Sequence, residues 1–323
     1  MNTKISERTL PFQGLRVLLM LGIVMLHTYN KPILGSGREL VSFFFIISGF
    51  LYRDKLPWKQ YMRKKIWGVY PIYWIVLVLS EIICILRGGN NIHWGIVPHI
   101  LLLQSWYPDI WFSFDYVGVA WFVSSLMFCY AVSPLFYRKI SKMSVTSSCF
   151  VIVLLFAGLF AIGLWKVPNE DVRFAFREWL CYANPLYCLM QYVVGMLVWN
   201  AVKAMPYCRL KVSYELIALC VVATYFYAIY AKWGGQIYAI HTAMIFLVYM
   251  FGSKVVNLLF ANKLMRWLSS YVMFVYMSHQ SLTLNCLQSR IDSKVALVIL
   301  CFVCGIIYGM FYRKYVAHQR LKS

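Results

Sequence analysis

Long apolar runs, separated by short polar segments, fill the sequence from residue 12 onward. A helix needs roughly 17 to 25 mostly apolar residues to cross a bilayer, and a shorter run suffices where flanking side chains snorkel. The pattern therefore predicts an all-α, polytopic transmembrane helix bundle of about ten spans. The predicted spans cover residues 12–30, 39–52, 68–86, 117–136, 147–165, 184–200, 212–231, 236–252, 267–287 and 294–312. The second of these runs is the shortest.

The composition agrees with a membrane protein and argues against an ordinary soluble domain. Hydrophobic residues make up 62% of the chain, charged residues only 13%, and the mean hydropathy is +0.67. We expect residues 1–323 to form one integral membrane domain with no appended soluble domain. The N-terminal residues contain no short apolar run that ends in a small-residue cleavage site, so we expect no cleavable signal peptide.

The net charge of +20 comes from 31 lysine and arginine residues against 11 acidic residues. Most of the basic residues lie on the inner side of the predicted spans if the N-terminus is cytoplasmic, as the positive-inside rule favours. Both termini are therefore predicted to be cytoplasmic, together with the densest basic cluster, residues 53–65. Contact with membrane lipids explains this charge, so we expect no nucleic-acid partner.

Two loops and the cysteines carry weaker signals. The loop over residues 87–116 is rich in aromatic residues and histidine, which either anchor at the headgroup level or form a platform for sugar rings. The segment WKVPNEDVRFAFREW mixes acidic and basic residues, which is typical of an interfacial segment or a rim. The cysteines lie mostly inside apolar runs, and the single C-x-x-C pair, Cys301 and Cys304, is a weak zinc signal. We expect reduced core cysteines and no metal.

Two ionisable side chains, Arg16 and His27, lie within the first predicted span. At about 100° per residue, their spacing places them within about 20° of each other around the helix and about 16 Å apart along its axis. An arginine in hydrocarbon costs about 2.5 to 3.5 kcal/mol, which favours a stripe that faces the bundle interior or a wet cavity. Alternatively, both side chains snorkel, because each lies near one end of the span. The spacing alone leaves both interpretations open.

Five stretches occur in order along the chain: LRVLLMLGIVMLH, FFFIISGFLYRDK, YMRKKIWGVYPIYW, AWFVSSLMFCYAVSPLF and LSSYVMFVYMSHQSL. The last of them places His279 in the ninth predicted span. Together they resemble the motifs of the membrane acyltransferase-3 family. The similarity extends over most of the chain. Gly68 stands where the family usually has an arginine, which puts one basic contact in doubt, and Gln13 stands where an acidic residue is common.

The resemblance implies an integral membrane O-acyltransferase, multi-pass in the cell (inner or plasma) membrane. Its expected substrates are cytoplasmic acetyl-CoA as acyl donor and a hydroxyl of a cell-surface glycan or its lipid-linked precursor as acceptor; succinyl or longer acyl groups stay open. His27 is the candidate general base, because histidine has an unperturbed pKa near 6.5. Arg16 is a candidate for holding a thioester carbonyl, a phosphate or a carboxylate. His279 orients His27, contacts the acceptor, or packs in the core.

Candidate donor-binding residues lie around the basic cluster. The phosphates of an acyl-CoA need a basic cytoplasmic mouth, and Arg63, Lys64 and Lys65 provide one at the start of the third predicted span. The alternative is that membrane topology alone places these charges there. Ser48 is a weaker candidate, as a donor contact or an acyl-carrying nucleophile, and its neighbour Gly49 lets a backbone or a ligand approach closely.

Trp121 and Phe122 are candidates for binding the acceptor, because aromatic rings at a cavity wall suit a sugar, although packing is the commoner role of such residues. Glu39 and Glu81 are buried-charge candidates without motif support, and His241 is expected near the outer interface.

Two functions from other classes compete with the enzyme. A glycan transporter or flippase would also need a polar path through the bundle, although the halves of this chain show no repeated helix breaks. A non-catalytic membrane sensor would leave the Arg16 and His27 stripe without a chemical purpose.

Overall fold

The computed structural model describes residues 8–34, 36–53, 56–89, 92–169, 171–203, 205, 208–209, 238–252 and 254–315. Its α-helices are α1 Pro11–Tyr29, α2 Gly37–Leu51, α3 Trp58–Leu86, α4 Ile96–Ile100, α5 Ile110–Ser113, α6 Ala120–Ile140, α7 Val145–Leu164, α8 Phe174–Glu178, α9 Pro185–Val202, α10 Tyr238–Met250, α11 Lys254–Phe260, α12 Lys263–Ser269, α13 Val272–Ser278, α14 Asn285–Leu287 and α15 Lys294–Tyr315. A 3-10 turn covers Gln104–Trp106, and π-helical turns cover Trp179–Ala183 and His279–Leu284. The two-residue strands β1 Cys208–Arg209 and β2 Phe251–Gly252 pair in parallel. The fold is helical, which confirms the predicted class.

Six described helical stretches are long and apolar enough to cross a membrane. They are Pro11–Tyr29, Trp58–Leu86, Ala120–Ile140, Val145–Leu164, Phe174–Val202 and Lys294–Lys314. They coincide with six of the predicted spans, so the chain is a polytopic membrane protein. The predicted span 39–52 is the short helix α2, the span 236–252 contains α10, and the span 267–287 is divided among α12, α13, a π-helical turn and α14. The predicted span 212–231 lies outside the described residues.

Helices α2 and α9 cross in direct backbone contact. A Cβ atom added to Gly49 would lie 1.8 Å from the carbonyl oxygen of Tyr192, and one added to Gly195 would lie 2.0 Å from that of Ile46. Only glycine allows two helices to approach this closely. The close approach expected at Gly49 is therefore between two backbones, and it fixes α2 inside the bundle.

Helix α1 lies in the interior of the bundle. It packs against α2, α11, α12, α13 and α15. At Gly14, an added Cβ would lie 2.4 Å from the carbonyl oxygen of Phe260 at the end of α11. Because other helices cover several sides of α1, polar side chains along it have protein neighbours as well as lipid ones.

The connection between α3 and α6 folds back along α3. Three aromatic side chains of α3 donate hydrogen bonds to consecutive loop carbonyls: Tyr73 to His99, Trp74 to Ile100 and Tyr70 to Leu101, each at 2.9 Å. Along the helix axis, Tyr73 lies about 20 Å from Leu86, where α3 ends. The loop thus folds back along α3 to about 20 Å from the end of that helix.

Helix α6 forms hydrogen bonds with the other side of this loop. Ser124 Oγ donates to the carbonyl of Leu102 at 2.6 Å, and Ser105 Oγ donates to the carbonyl of Trp121 at 2.7 Å. Leu102 adopts a left-handed conformation with φ of 55°. Irregular backbone at membrane depth is tolerated only where protein or a wet cavity satisfies it. These side-chain hydrogen bonds perform that task and fix the loop residues that precede α6.

Candidate functional site

A cavity of about 170 Å³ lies between α1, the start of α2, the start of α6 and the two π-helical turns. Most of its wall is aromatic or aliphatic, and the polar residues among its lining are His27, Gln280 and two tyrosines. Its lining residues are Ile23, Leu26, His27, Gly37, Val41, Phe114, Gly118, Val119, Trp121, Tyr182, Tyr276 and Gln280. A largely apolar cavity with a few convergent polar groups is the usual form of a small-molecule site.

His27 and His279 form a direct hydrogen bond beside this cavity. His27 Nδ1 lies 2.8 Å from His279 Nε2, although 252 positions separate the two residues in the chain. His279 Nδ1 lies 2.7 Å from the carbonyl oxygen of Tyr276 and 3.2 Å from that of Val275. His279 is fully buried, whereas His27 keeps an accessible surface in the cavity.

These contacts fix the tautomers of the neutral pair. A carbonyl oxygen can only accept a hydrogen bond, so His279 Nδ1 carries the proton and its Nε2 must accept. His27 Nδ1 is then the donor, which leaves the lone pair of His27 Nε2 without a hydrogen bond to any described residue. The arrangement places a neutral imidazole at the cavity, with its second nitrogen held by His279.

A π-helical turn, His279–Leu284, begins at His279 itself. Such turns commonly interrupt helices at functional sites. Helix α15 supports this turn from behind: Cys301 Sγ contacts the His279 carbonyl at 3.8 Å, and a Cβ at Gly305 would lie 2.6 Å from the Val275 Cα. The close packing of α15 holds His279 in place, and no sequence motif predicts it.

The Arg16 guanidinium group lies near the hydroxyl groups of Tyr130 on α6 and Tyr192 on α9. It has no hydrogen bond or acidic partner among the described residues and remains partly accessible. The ammonium group of Lys65 lies 3.8 Å from the centre of the Tyr130 ring. The structure therefore brings Arg16 and Lys65, predicted in different roles, to the same tyrosine.

The other candidate donor contacts are more scattered. Arg63 and Lys64 are exposed on α3. Ser48 is buried beside the contact between α2 and α9, and it has no hydrogen bond to a histidine or carboxylate of the described chain. Gly68 has open space around it, with no atom within 4 Å of an added Cβ. Arg53, which follows α2, lies 3.2 Å from the centre of the Trp199 ring; burial lowers its pKa to about 10, so it stays charged at neutral pH.

Trp121 and Phe122 have different environments. Trp121 lines the cavity, and its ring centre lies 4.4 Å from that of Tyr182. Phe122 does not line the cavity; it packs behind the wall, 4.9 Å from Phe45 and 5.1 Å from Tyr276 between ring centres. Trp121 is thus the member of the pair that a ligand in the cavity can touch.

A cluster of charged side chains lies next to Tyr182. Arg38 Nη2 contacts Glu178 Oε2 at 2.6 Å, and Arg177 forms a second ion pair with the same carboxylate. The Arg38 guanidinium lies 5.4 Å from the centre of the Tyr182 ring. The signal in the sequence was the mixed-charge segment that contains Arg177 and Glu178.

The remaining polar candidates have structural roles or lie elsewhere. Glu39 closes a capping box with Ser36 at the start of α2. His241 is fully buried and stacks on Phe43 with 4.8 Å between ring centres, in place of the interfacial setting expected for it. Glu81 is buried, and its Oε2 has no hydrogen-bond partner in the described structure. Across the described residues, no group of three metal-ligating side chains comes together.

Comparison with known proteins agrees with the motifs. A family model described as an acyltransferase domain matches residues 12–313, which confirms the resemblance. The chain is also 29% identical over 133 residues to "Acyltransferase MdmB" of Streptomyces mycarofaciens, an alignment that covers 38% of this chain and 33% of that protein. The chain therefore spans about a third of the length of the curated relative that it matches. No solved structure matches it.

Proposed function

Because the chain belongs to the membrane acyltransferase-3 family, we propose that it is a multi-pass O-acyltransferase of the cell (inner or plasma) membrane. It transfers an acetyl group from cytoplasmic acetyl-CoA to a hydroxyl of a cell-surface glycan or its lipid-linked precursor. Residues 1–323 act as one membrane domain of about ten spans with cytoplasmic termini.

The observation that carries this proposal is the hydrogen bond between His27 Nδ1 and His279 beside the cavity, which leaves His27 Nε2 unprotonated in the neutral pair. Nε2 takes the proton of the acceptor hydroxyl while the hydroxyl oxygen forms a bond to the thioester carbonyl carbon. The carbonyl π electrons move to oxygen, which gives a tetrahedral oxyanion. When this intermediate collapses, the C–S bond breaks, and the thiolate takes the proton from the His27 imidazolium. The products are an ester and a free thiol.

The donor approaches His27 from the side of Arg16. Arg16 lies about 16 Å from His27 along α1. Its guanidinium group has no acidic partner among the described residues and lies near Tyr130, whose ring also contacts Lys65. Arg63 and Lys64 extend this basic surface into solvent. Guanidinium and ammonium groups bind phosphates by charge-assisted hydrogen bonds, which suits the phosphates of a coenzyme A donor.

The acceptor occupies the aromatic cavity. Trp121 and Tyr182 present neighbouring rings with centres 4.4 Å apart, and aromatic faces of this kind suit the apolar face of a sugar ring. Phe122 supports Trp121 from behind and does not touch the acceptor. A hydroxyl held in this cavity faces the imidazole that deprotonates it.

Acetyl transfer measured with purified protein in lipid vesicles tests the proposal. The assay uses radiolabelled acetyl-CoA and cell-surface polymer extracted from cells that lack the gene, and it compares the wild type with His27→Ala. Loss of a general base lowers the rate about 10²- to 10⁴-fold. His93→Gln is the matched control, because His93 lies in the loop between α3 and α6, where it pairs with Asp115. Equal transfer by wild type and His27→Ala refutes the assignment of the base.

The same preparation separates the enzyme from its rivals. A transporter would move glycan across the vesicle membrane without acetyl-CoA, and a sensor would do neither. Mass spectrometry of surface polymer from cells with and without the gene identifies the acyl group and the modified hydroxyl.

A further inference from the structure

Gln280 is a polar residue of the cavity that has no part in the proposed proton transfer. It follows His279 in the chain and lies on the same π-helical turn, His279–Leu284. Its side chain lines the cavity together with His27. Its carboxamide forms no hydrogen bond with any residue in the described part of the chain, although the side chain is partly buried. An amide in such a position is normally satisfied by protein, water or ligand.

The carboxamide packs against Gly118. Gln280 Oε1 lies 3.3 Å and Cδ 3.8 Å from the position of a Cβ built on Gly118. Because Gly118 has no side chain, the amide oxygen rests against the backbone there. The NH₂ group, on the other side of the amide carbon, points away from Gly118.

The other hydrogen-bond donors of the cavity are less suited to act beside His27. The Tyr276 hydroxyl donates to the carbonyl of Val119 at 2.8 Å, so its proton is occupied. The Tyr182 hydroxyl faces the start of α2, 3.1 Å from a Cβ built on Gly37, and its ring lies beside Trp121, where the acceptor is proposed to bind. Gln280 directly follows His279, the histidine that holds His27, so its NH₂ is a donor fixed on the same turn as His279.

We propose that the Gln280 carboxamide donates a hydrogen bond to the oxyanion that forms on the thioester carbonyl oxygen. The inference rests on the proposed acyl transfer and adds its missing electrostatic component: His27 removes the hydroxyl proton, and Gln280 stabilises the negative charge that appears on the other reacting oxygen. Side-chain amides commonly serve as such donors, and they act mainly on the transition state.

Gln280→Met tests this role, because methionine preserves the length of the side chain and removes the donor. With purified protein and acetyl-CoA, we expect kcat to fall about 100-fold, with the KM values for donor and acceptor unchanged. Hydrolysis of acetyl-CoA without acceptor falls by the same factor, because it passes through the same oxyanion. The kcat of Gln280→Glu, which adds a negative charge, falls at least as far. Gln288→Met is the matched control, since Gln288 is exposed beyond the turn, and it keeps the wild-type rates.

Three results would overturn the inference. If Gln280→Met keeps the wild-type kcat, the amide has no role in the reaction. If it raises only the KM of the acceptor, Gln280 binds the acceptor and does not stabilise the oxyanion. If the wild-type protein transfers no label at all, the proposed function fails as well. Thermal denaturation of each variant shows whether a loss of activity reflects a loss of folded protein.

Discussion

The contact between α2 and α9 gives a quantitative test of the fold. In Gly49→Ala, the new Cβ would lie 1.8 Å from the carbonyl oxygen of Tyr192, whereas ordinary van der Waals contact begins at 3.4 Å. Neither atom belongs to a flexible side chain, so the two helices must separate by more than about 1 Å. Gly68→Ala is the matched control, because Gly68 also lies inside a helix but has no atom within 4 Å of its added Cβ.

The expected difference between the two variants follows from opposing effects. Replacing glycine by alanine inside a helix gains about 0.5 to 1 kcal/mol, and this gain applies to both positions. Overpacking of a tight contact costs about 1 to 3 kcal/mol. Gly49→Ala should therefore be less stable than Gly68→Ala by about 1 to 3 kcal/mol, because the helix gain cancels in the comparison.

Thiol labelling during thermal denaturation in one detergent measures this difference. Cys129 and Cys188 are fully buried and react with a thiol dye only on unfolding, while the exposed Cys149 sets the baseline. Gly49→Ala should label at a lower temperature than the wild type, and Gly68→Ala at the same temperature or higher. If the two variants melt together, the contact between these backbones is not as close as described.

Three further predictions concern the site. His279→Ala removes the acceptor of the hydrogen bond from His27 Nδ1 and should lower kcat about 100-fold, within the range expected for lost general-base assistance. His279→Gln can still accept this hydrogen bond and should recover part of the rate. Equal rates for both variants would contradict the orienting role. Arg16→Gln removes a charge-assisted contact and should raise the KM for acetyl-CoA about 10-fold or more, with Arg16→Lys intermediate; an unchanged KM would remove Arg16 from the donor site. Gly37→Leu adds a side chain that points toward Leu26 and Tyr182, each 3.1 Å from the added Cβ. This variant should lose transfer to the acceptor and keep acetyl-CoA hydrolysis. Chromatographic separation of the two products measures both activities.

Helical periodicity predicted the parts of the structure that lie within one helix. The spacing of Arg16 and His27 placed both on one face of α1, and the structure directs both toward protein neighbours. The same geometry explains why Trp121 and Phe122 separate: consecutive residues differ by about 100° around a helix, so one ring faces the cavity and the other faces away.

Contacts between distant segments were beyond the reach of these patterns. The hydrogen bond from His27 to His279 depends on how α13 and α15 pack, which no local spacing encodes. The π-helical turn at His279 has no distinct hydrophobic period. An aromatic loop such as the one between α3 and α6 has the same composition whether it anchors at the headgroups or packs among the helices. Their partners decide between these positions, and those partners lie on other helices.

The inward course of the chain between α3 and α6 has a consequence for biogenesis. Hydrogen bonds from Tyr70, Tyr73 and Trp74 on α3, and from Ser124 on α6, satisfy backbone carbonyls of this segment. Because the segment needs donors from both helices, we expect it to reach its buried position only after α3 and α6 have both entered the membrane. Because Gly118 ends this segment and Trp121 begins α6, and both line the cavity, we expect the cavity to be completed only at that step of assembly.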